Sequence, residues 1–356
     1  MTLKRKKTKE ITIGNKKIGG LNPILVQSMT KSKTDNIELL KEEIKNLIAR
    51  DCEIIRIAIP DKKAIDVIKI LIKEGYFNEV PLVADIQFDY MLAIEAIEVG
   101  VHCIRINPGN IGGLEKAKKV ILKAKDNDAC IRIGVNSGSI DKKILKKFNG
   151  NIVDSMVEST LEYVRFFENC DFRNFKISAK TSSVLDSISV YETISDKVNY
   201  PLHLGITEAG SIFSGSIKSS VGLGILLYKG IGDTIRVSLT GDSAYEVKAG
   251  YEILSSLGLR SFGVDIISCP TCGRTKVDLV DIVNKVENIT KNIKKPLKIA
   301  IMGCIVNGPG EAREADIGIA YGIKKAAIFV KGEVIARVDA EEAVDYFKKE
   351  LDDLCK

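Results

Sequence analysis

Short runs of β-branched and aliphatic residues alternate with longer amphipathic segments through the first two thirds of the chain. Such runs are typical of strands, and apolar positions three or four residues apart are typical of helices. The predicted strands are Pro23–Thr30, Glu53–Ile59, Pro81–Ile86, His102–Asn107, Cys130–Val135, Phe175–Lys180, Pro201–Thr207 and Asp233–Leu239. The predicted helices are Asn36–Arg50, Ala64–Glu74, Tyr90–Val99, Ile111–Lys125, Asp154–Glu168, Val184–Val198, Ser211–Lys229 and Ala244–Leu257.

Eight strand–helix units in about 240 residues match the size of a TIM (β/α)8 barrel. An open doubly wound sheet shares the same alternation, but the count of eight favours the barrel. Ahead of the first unit, Ile11–Gly20 has the pattern of a hairpin that turns at Gly14–Asn15. We expect this hairpin to lie as a plug under the barrel.

The pattern changes after about Leu257, and the elements that follow predict a compact α+β domain. These elements are a strand at Phe262–Cys269, a helix at Lys276–Ile293, a strand at Leu297–Met302, a hairpin at Ala326–Val338 and a helix at Ala340–Leu354. We therefore expect a barrel domain over residues 1–259 and a second domain over residues 260–356.

The composition and charge of the chain exclude few classes of function. The 53 Lys and Arg against 47 Asp and Glu give a net charge of +6, which does not by itself indicate nucleic acid and is compatible with a small anionic substrate. No apolar run reaches the roughly 18–20 residues of a membrane span. We expect a cytoplasmic protein whose eight cysteines are thiols or metal ligands rather than disulfides.

Polar side chains recur on one face of seven of the predicted strands. Successive side chains of a strand point to opposite faces, so the apolar face should pack on the helices and the polar face should point into the barrel. Active sites of TIM barrels lie at the mouth of that interior. The cations on the polar face are Arg56, Arg105, Arg132, Lys180 and Arg236.

Several cations in one mouth repel one another, and they are tolerated when anions complete the site. Arginine pairs bidentately with phosphate oxygens, so a diphosphate is a natural ligand. The alternative is that these cations are ordinary inner residues paired with Asp85 and Glu208.

Other polar residues of the same face are candidates for substrate contacts. Asp85, Asn107 and Glu208 are expected to bind hydroxyl groups or to transfer protons. Asn136 and His203 are expected to contact substrate, although His203 is equally well explained as a hydrogen-bonded barrel histidine.

A second candidate site lies in the C-terminal domain. Cys269 and Cys272 form a CxxC pair after a predicted strand, Cys304 follows the next strand, and Glu311 lies seven residues further on. Three soft ligands and one hard ligand fit a [4Fe–4S] cluster, and zinc is the alternative. The cysteines expected to be small hydrophobic residues are Cys52, Cys103, Cys130, Cys170 and Cys355.

Six segments, spread over essentially the whole chain, resemble the motifs of the 4-hydroxy-3-methylbut-2-enyl diphosphate synthase family. The two cluster motifs are CPTCGRT (269–275) and MGCIVNGPGEAREADIGIA (302–320). The four barrel motifs are PLVADIQFDY (81–90), IRINPGNIG (104–112), IRIGVNSGS (131–139) and LGITEAGS (204–211). The chain resembles the two-domain bacterial form, and it departs from the family at Gln87, where a histidine is common.

The resemblance implies an architecture. Cys269, Cys272, Cys304 and Glu311 would hold a [4Fe–4S] cluster in a domain similar to those of sulfite and nitrite reductases. The barrel would be related to that of dihydropteroate synthase. Two chains would form a homodimer in which the cluster domain of one closes the barrel mouth of the other.

The resemblance also implies an oxidoreductase of the non-mevalonate isoprenoid pathway. It would open the ring of 2-C-methyl-D-erythritol 2,4-cyclodiphosphate with two electrons from flavodoxin or ferredoxin, releasing 4-hydroxy-3-methylbut-2-enyl diphosphate and water. Arg56, Arg105, Arg132 and Lys180 would hold the diphosphate. The catalytic residues would be Glu311, Glu208, Asp85 and Asn107.

Two other classes of function fit parts of the sequence. One is a non-redox barrel transferase of pterin or phosphate chemistry with a structural zinc in its C-terminal domain. The other is an RNA-binding protein, but the arginines lie on alternating strand positions and not on a surface stripe interleaved with aromatic residues. We therefore expect no nucleic-acid partner and no membrane partner.

Overall fold

The computed structural model describes residues 3–304 and 314–355. The chain divides into two compact units, Met1–Arg260 and Ser261–Lys356. Within the described ranges, no helix is long and apolar enough to cross a membrane.

The first unit contains a barrel of eight parallel strands, β3 to β10, preceded by two short strands. The ten strands are β1 (Ile11–Ile13), β2 (Lys16–Ile18), β3 (Leu25–Met29), β4 (Ile54–Ala58), β5 (Leu82–Asp85), β6 (Cys103–Ile106), β7 (Cys130–Asn136), β8 (Phe175–Lys180), β9 (His203–Leu204) and β10 (Thr234–Ile235). The hydrogen-bonded order is β8-β7-β6-β5-β4-β3-β10-β9, and a parallel bridge from Ile177 to Leu202 closes the ring between β8 and β9. The predicted barrel is confirmed, and the open doubly wound sheet is excluded.

Helices follow the barrel strands along the chain, as a (β/α) repeat requires. They are α1 (Ile37–Ala49), α2 (Lys62–Lys73), α3 (Tyr90–Glu98), α4 (Leu114–Asp126), α5 (Lys142–Lys147), α6 (Ile152–Asn169), α7 (Val184–Lys197), α8 (Ile212–Tyr228) and α9 (Ser243–Ser256). Polar caps fix where several begin: the side chains of Asn36, Asp61 and Ser183 accept backbone N–H bonds from the first turns of α1, α2 and α7. The short helix α5 was not predicted, because six residues are too few to show a helical period.

The strands β9 and β10 have two residues each and are shorter than the predicted runs Pro201–Thr207 and Asp233–Leu239. Gly205 follows β9 directly and has no side chain to support a longer pairing. The other six barrel strands lie inside, or within one residue of, the predicted runs.

The strand register stacks the inward side chains in three layers of four, as in other TIM barrels. The lowest layer is Ile54, Cys103, Lys176 and Thr234, the middle layer is Gln27, Val83, Arg132 and His203, and the upper layer is Arg56, Arg105, Ser178 and Arg236. Branched apolar residues usually fill these layers. Here the upper two layers carry most of the charge of the barrel interior.

The hairpin of β1 and β2 closes the lower end of the barrel, as predicted. Its strands pair antiparallel, with Ile11 opposite Ile18. The buried side chains that form one cluster there are Ile11, Ile13, Ile18, Leu25, Ile54, Val83, Cys103 and Cys130. Gly14 turns the hairpin with a φ of +54°, and a Cβ there would lie 2.7 Å from Cδ2 of His102, so glycine is required at this position.

The second unit is a five-stranded sheet with helices, an α+β arrangement. Its elements are β11 (Val264–Ser268), α10 (Leu279–Thr290), β12 (Leu297–Met302), β13 (Ile317–Tyr321), β14 (Lys325–Val330), β15 (Glu333–Asp339) and α11 (Ala343–Cys355). The strands lie in sequence order, with β11, β12 and β13 parallel and β14 and β15 antiparallel. Val286 of α10 and Phe347 of α11 are buried against one face of this sheet.

The strand β13 was not predicted. Gly318 lies in its centre, and glycine weakens a strand pattern in the sequence. In the structure Gly318 is required, because a Cβ there would meet the ring of Phe329 and the carbonyl oxygen of Ala300.

Candidate active site

A small cavity of about 100 Å³ lies inside the barrel on the polar face of its strands. Its lining is Arg56, Arg105, Arg132, Asn136, Ser178, Lys180, Thr207, Arg236 and Ser238. Six of the seven residues predicted to bind substrate are therefore brought together around one space. His203, the seventh, is not part of the lining, and the three hydroxyl side chains were not predicted.

Asp85 is the centre of a charged network on one side of this cavity. Its carboxylate accepts hydrogen bonds from Arg56 Nη2 at 2.6 Å, Gln87 Nε2 at 3.0 Å and Arg105 Nη1 at 3.4 Å. Burial alone would raise the pKa of Asp85, but the guanidinium groups of Arg56, Arg105 and Arg132 lower it to about 2. Asp85 is therefore a carboxylate at neutral pH that accepts hydrogen bonds and does not supply protons.

Glu246 of α9 is the carboxylate that pairs with cations on the other side of the cavity. It is fully buried, and its oxygens accept bonds from Arg236 Nε and Nη2, both at 3.3 Å. Lys31 Nζ lies 3.1 Å from the same carboxylate, and Ser28 Oγ donates to it at 2.8 Å. The alternative in which the inner cations pair with Asp85 and Glu208 is therefore right for Asp85, which binds Arg56 and Arg105. It is wrong for Glu208, which is exposed on the loop after β9, and Glu246 takes that place.

Lys180 lies between the cavity and His203. Its Nζ is 3.3 Å from His203 Nε2, and His203 Nδ1 is 2.8 Å from Thr234 Oγ1. Burial and the neighbouring Lys180 and Arg132 hold the pKa of His203 well below its ordinary value, so the imidazole is neutral. An ammonium group can only donate, so His203 accepts from Lys180 and donates to Thr234. His203 thus orients Lys180 from below.

Two glycines on the inward face leave the space that cations occupy. A Cβ at Gly134 would collide with Nε of Arg105, and a Cβ at Gly205 would lie 2.6 Å from Nζ of Lys180. A side chain at either position would displace the cation beside it. These glycines therefore shape the site without contributing a functional group.

Two asparagines, Asn107 directly after β6 and Asn136 at the end of β7, differ in how free their amide groups are to bind a ligand. Asn107 is buried; it donates from Nδ2 to Ser139 Oγ at 2.9 Å and accepts from Gly109 N at 3.1 Å, so both amide atoms shape loops. Asn136 lines the cavity. In the amide orientation that satisfies both of its atoms, its oxygen accepts from Arg105 Nη2 at 3.1 Å.

Positive charge dominates the interior. Burial lowers the pKa of Arg132 and of Lys180 well below their ordinary values, and neighbouring cations lower both further. The lowered pKa values mean that burial and mutual repulsion destabilise the charged forms of these side chains, and an anionic ligand would stabilise those forms. The site is therefore suited to a compact ligand with several negative charges.

Three buried charged residues were not predicted from the sequence: Lys176, Glu246 and Asp233, the last of which pairs with Arg5. Lys176 shares the inward parity of Ser178 and Lys180, so strand alternation contained the signal. Glu246 lies on a helix and reaches a strand end ten residues away, which no strand pattern shows.

The described cysteines of the second site lie at the ends of two adjacent parallel strands. Cys269 follows β11; its N–H donates to Ile301 O at 3.3 Å, and its Sγ accepts from Gly303 N at 3.3 Å. Cys304 comes directly after Gly303. The register of β11 and β12 therefore brings Cys269 beside the segment that carries Cys304.

Cys272 lies in a tight turn after Cys269. Its N–H donates to Thr275 Oγ1 at 3.1 Å, and its carbonyl oxygen accepts from Thr275 N at 2.9 Å. A hydrogen bond from the backbone of Arg274 lowers the pKa of the exposed Cys272 thiol. Thr271, between the two cysteines, has a φ of +41°, an uncommon conformation for a β-branched residue.

This donor set fits an iron–sulfur cluster in its chemistry. Thiolates are the ligands that such clusters use, and backbone N–H bonds to the sulfurs, present at Cys269 and Cys272, stabilise them. Glu311, the expected fourth ligand, lies outside the described residues. Among residues 3–304 and 314–355, no three His, Cys, Asp or Glu side chains are grouped closely enough to hold a metal ion.

Family models match both units. One described as the GcpE TIM-barrel domain matches residues 8–251, and one described as the GcpE protein C-terminal domain matches residues 265–353. The chain belongs to the GcpE family. The family resemblance indicated by the motifs is thereby confirmed. The family match includes the C-terminal unit as well as the barrel.

Curated relatives in this family extend over the whole chain. A protein of Caldanaerobacter subterraneus subsp. tengcongensis is 55% identical over 99% of this chain and 98% of its own length. One of Clostridium tetani is 53% identical over 98% of this chain and 99% of its own length. Both are named 4-hydroxy-3-methylbut-2-en-1-yl diphosphate synthase (flavodoxin).

Solved structures outside the family share the barrel alone. Type I 3-dehydroquinate dehydratase of Clostridium difficile is 14% identical with a TM-score of 0.52, covering 70% of this chain and 98% of its own. Dihydropteroate synthase of Xanthomonas albilineans is 13% identical with a TM-score of 0.50, covering 71% and 98%. At this identity the likeness supports the fold and nothing of the chemistry.

Proposed function

We propose that this chain catalyses the reductive ring opening of 2-C-methyl-D-erythritol 2,4-cyclodiphosphate to 4-hydroxy-3-methylbut-2-enyl diphosphate in isoprenoid biosynthesis. Two electrons are consumed, a ring C–O bond breaks and one oxygen leaves as water. The proposal rests on the relatives whose names contain this activity, because this chain is 53–55% identical in sequence to two of them over nearly their full length. The barrel also contains a cationic cavity that is suited to a diphosphate.

The barrel supplies binding and orientation. Arg132 and Lys180 have no carboxylate of their own within hydrogen-bonding range among the described residues, so they are the cations most available to phosphate oxygens. Arg56, Arg105 and Arg236 are held in place by Asp85 and Glu246 and present their remaining N–H groups to the cavity. Side chains fixed in this way lose little freedom when the ligand binds.

The second unit supplies the redox centre in this proposal. Cys269, Cys272 and Cys304 would hold a [4Fe–4S] cluster, with Glu311 as the fourth ligand. When bound, the cluster delivers electrons one at a time to the substrate. Backbone hydrogen bonds to the sulfurs of Cys269 and Cys272 support this assignment, because such bonds favour the thiolate form. The likeness of this unit to sulfite and nitrite reductase domains stays a prediction.

Protons must come from a group other than Asp85, because its pKa of about 2 leaves it ionised. We retain Glu208 as the candidate for hydroxyl binding and protonation. Asn107 is assigned to holding the loops after β6 and β7, since both of its amide atoms are engaged there.

The electron donor we propose is flavodoxin, the protein that the names of the relatives contain. Ferredoxin is the alternative, and it would be distinguished by comparing turnover with each donor at equal potential. The cytoplasmic location expected from the sequence stays a prediction.

We also propose that the protein is a homodimer. An apolar stripe on the outside of α8 supports this: Phe213, Ile217, Val221, Ile225 and Tyr228 recur at helical spacing and are each 38% or more exposed. A second copy of the chain would bury this stripe. Sedimentation of the wild type should give the mass of two chains, and Ile217→Asp should give one; a monomeric wild type would overturn this part of the proposal.

The experiment that tests the reaction is an anaerobic assay of purified protein with the cyclodiphosphate and reduced flavodoxin, with product identified by mass. Iron and sulfide assays on the same sample should find about four irons per chain. Arg132→Met should raise KM strongly. A colourless protein with stoichiometric zinc and no product would overturn the proposal in favour of the zinc-containing transferase.

A further inference from the structure

Two like charges lie side by side beneath the cavity floor. Arg132 of β7 and Lys176 of β8 are register partners on the inward face, and their exposed fractions are 1% and 0%. Lys176 belongs to the lowest layer of the barrel interior and does not line the cavity. Adjacent buried cations are unfavourable unless a negative charge lies with them.

The polar atoms of this region lack hydrogen-bond partners within the described part of the chain. They are Nζ of Lys176, Nε and Nη1 of Arg132, and both amide atoms of Gln27, whose side chain is fully buried. Buried polar side-chain atoms are rarely left unpaired in folded proteins. Gln27 and Arg132 belong to the same layer and lie on opposite strands of the barrel, and Lys176 lies in the layer below on the strand next to Arg132.

The carboxylates of the interior cannot neutralise these charges. Asp85 is bound to Arg56 and Arg105, and Glu246 is bound to Arg236 and Lys31. Burial lowers the pKa of Lys176 to about 8, which leaves the ammonium mostly protonated at pH 7, and an arginine does not lose its proton. A net positive charge therefore remains on the axis.

Most of the inward residues next to Lys176 are small. Cys103 and Thr234 share its layer, Cys130 lies on the neighbouring strand, and Ser178 is the next inward residue of β8. These four are smaller than the branched residues that usually fill a barrel, and Ile54 is the one branched residue of the layer. They therefore crowd the ammonium group less than branched side chains would.

We propose that a small monovalent anion of the chloride class binds on the barrel axis, held by Lys176 Nζ, the Nε and Nη1 groups of Arg132 and the amide of Gln27. This site lies below the diphosphate cavity, shares only Arg132 with it and does not depend on the proposed reaction. An anion there would offset the repulsion between Arg132 and Lys176. It would thereby stabilise the cationic floor before any substrate arrives.

Bromide is the probe that locates the site. Crystals of the wild-type protein grown without halide are soaked in sodium bromide, and anomalous scattering at the bromine edge identifies each bound ion. A peak in contact with Lys176 Nζ and Gln27 supports the proposal. Peaks confined to the cavity or the surface, with water or nothing at Lys176, overturn it.

Solution measurements test affinity with matched variants. In halide-free buffer at constant ionic strength, bromide should raise the Tm of the wild type along a saturable curve. Lys176→Met should lose the saturable shift. Lys180→Met, four residues along the same strand and lining the cavity, should keep it while losing the shift caused by inorganic pyrophosphate.

Further variants cover two remaining outcomes. If Lys176→Met does not fold, Gln27→Leu should weaken the bromide response and Lys176→Arg should retain it. Cys103 lies beside Lys176, and a buried thiolate is the competing source of negative charge. Thiolate absorbance that disappears in Cys103→Ala, with no bromide response in the wild type, would overturn the anion site and leave the diphosphate cavity unaffected.

Discussion

The barrel cavity and the cysteine loops are assembled in different ways. Around the cavity, Arg56, Arg105 and Arg236 are fixed by two buried carboxylates, Asp85 and Glu246. Four of these five groups lie on strands or helices of a closed barrel, and Arg236 directly follows β10. In the second unit, Cys272 is exposed and Cys304 is only partly buried. Cys269 and Cys272 are held by backbone hydrogen bonds and by one bond from Cys272 N–H to Thr275 Oγ1.

This difference shows which site is specified by the fold alone. Arg56, Arg105 and Arg236 have their carboxylate partners in the absence of a ligand, so this part of the barrel is preorganised for an anion. Under the proposed function, a bound cluster would complete the cysteine site, because thiolates repel one another until a metal ion binds them. Damage to one site should therefore leave the other intact.

The largest effect is expected at the cysteine loops. Cys304→Ala should abolish the iron–sulfur absorption and all detectable turnover, since a ligand is lost. Binding of inorganic pyrophosphate to the barrel, measured by calorimetry, should stay within about twofold of the wild type. Cys170→Ala is the control, because Cys170 ends α6 in the other unit and should leave both properties unchanged. Loss of pyrophosphate binding in Cys304→Ala would show that the sites are not independent.

The next effect concerns the barrel's own charge network. Glu246→Gln removes the buried partner of Arg236 and Lys31, so the free energy of unfolding should fall by about 3–5 kcal/mol in urea. The control is Glu192→Gln, which breaks the exposed pair with Lys229 and should cost less than about 1 kcal/mol. Equal losses in the two variants would contradict a network held by burial.

A smaller effect tests the inward glycines. Gly205→Ala places a methyl group against Lys180 Nζ, so KM for the cyclodiphosphate should rise about 10–100-fold, equivalent to about 1.4–2.8 kcal/mol, with less change in kcat. Gly138→Ala is the matched control, because a Cβ there meets nothing within 4 Å. An unchanged KM in Gly205→Ala would show that Lys180 does not need its present position.

The smallest effect is a pH dependence of stability. The pKa of Asp85 is lowered in the folded state to about 2, so its pairing stabilises the protein above the unfolded pKa and is lost as the pH falls through about 2. The contribution at neutral pH is about 2 kcal/mol. Asp85→Asn should remove this part of the acid dependence in urea titrations between about pH 5 and pH 2. An identical dependence in the variant would exclude Asp85 as its source.

Alternation along the strands predicted much of the barrel and of its cavity. The inward parity placed Arg56, Arg105, Arg132, Lys180 and Arg236 on one face, and all five line the cavity. Parity works here because a closed barrel leaves a strand only two environments, the helices and the interior. The same alternation applies to Lys176, but this residue lies near the N-terminal end of β8, away from the mouth where active-site residues are expected.

What alternation could not predict was how these charges are paired. Of the two partners named in the alternative from the sequence, Asp85 does pair with the cations, but Glu208 lies on an exposed loop. Its place is taken by Glu246, which reaches the strand ends from a helix. Partners between distant elements depend on how a helix packs, which the period of its own sequence does not specify. Similarly, the layer of the barrel interior to which Gln27 or His203 belongs depends on the register of all eight strands, which the sequence of a single strand does not specify.

The hairpin of β1 and β2 has a kinetic consequence. Ile11, Ile13 and Ile18 seal the lower end of the barrel with buried side chains. Substrate and product must therefore pass through the same open end of the barrel, and a product molecule must leave before the next substrate molecule can enter. Product should accordingly act as a competitive inhibitor, and its escape sets an upper limit on the turnover rate.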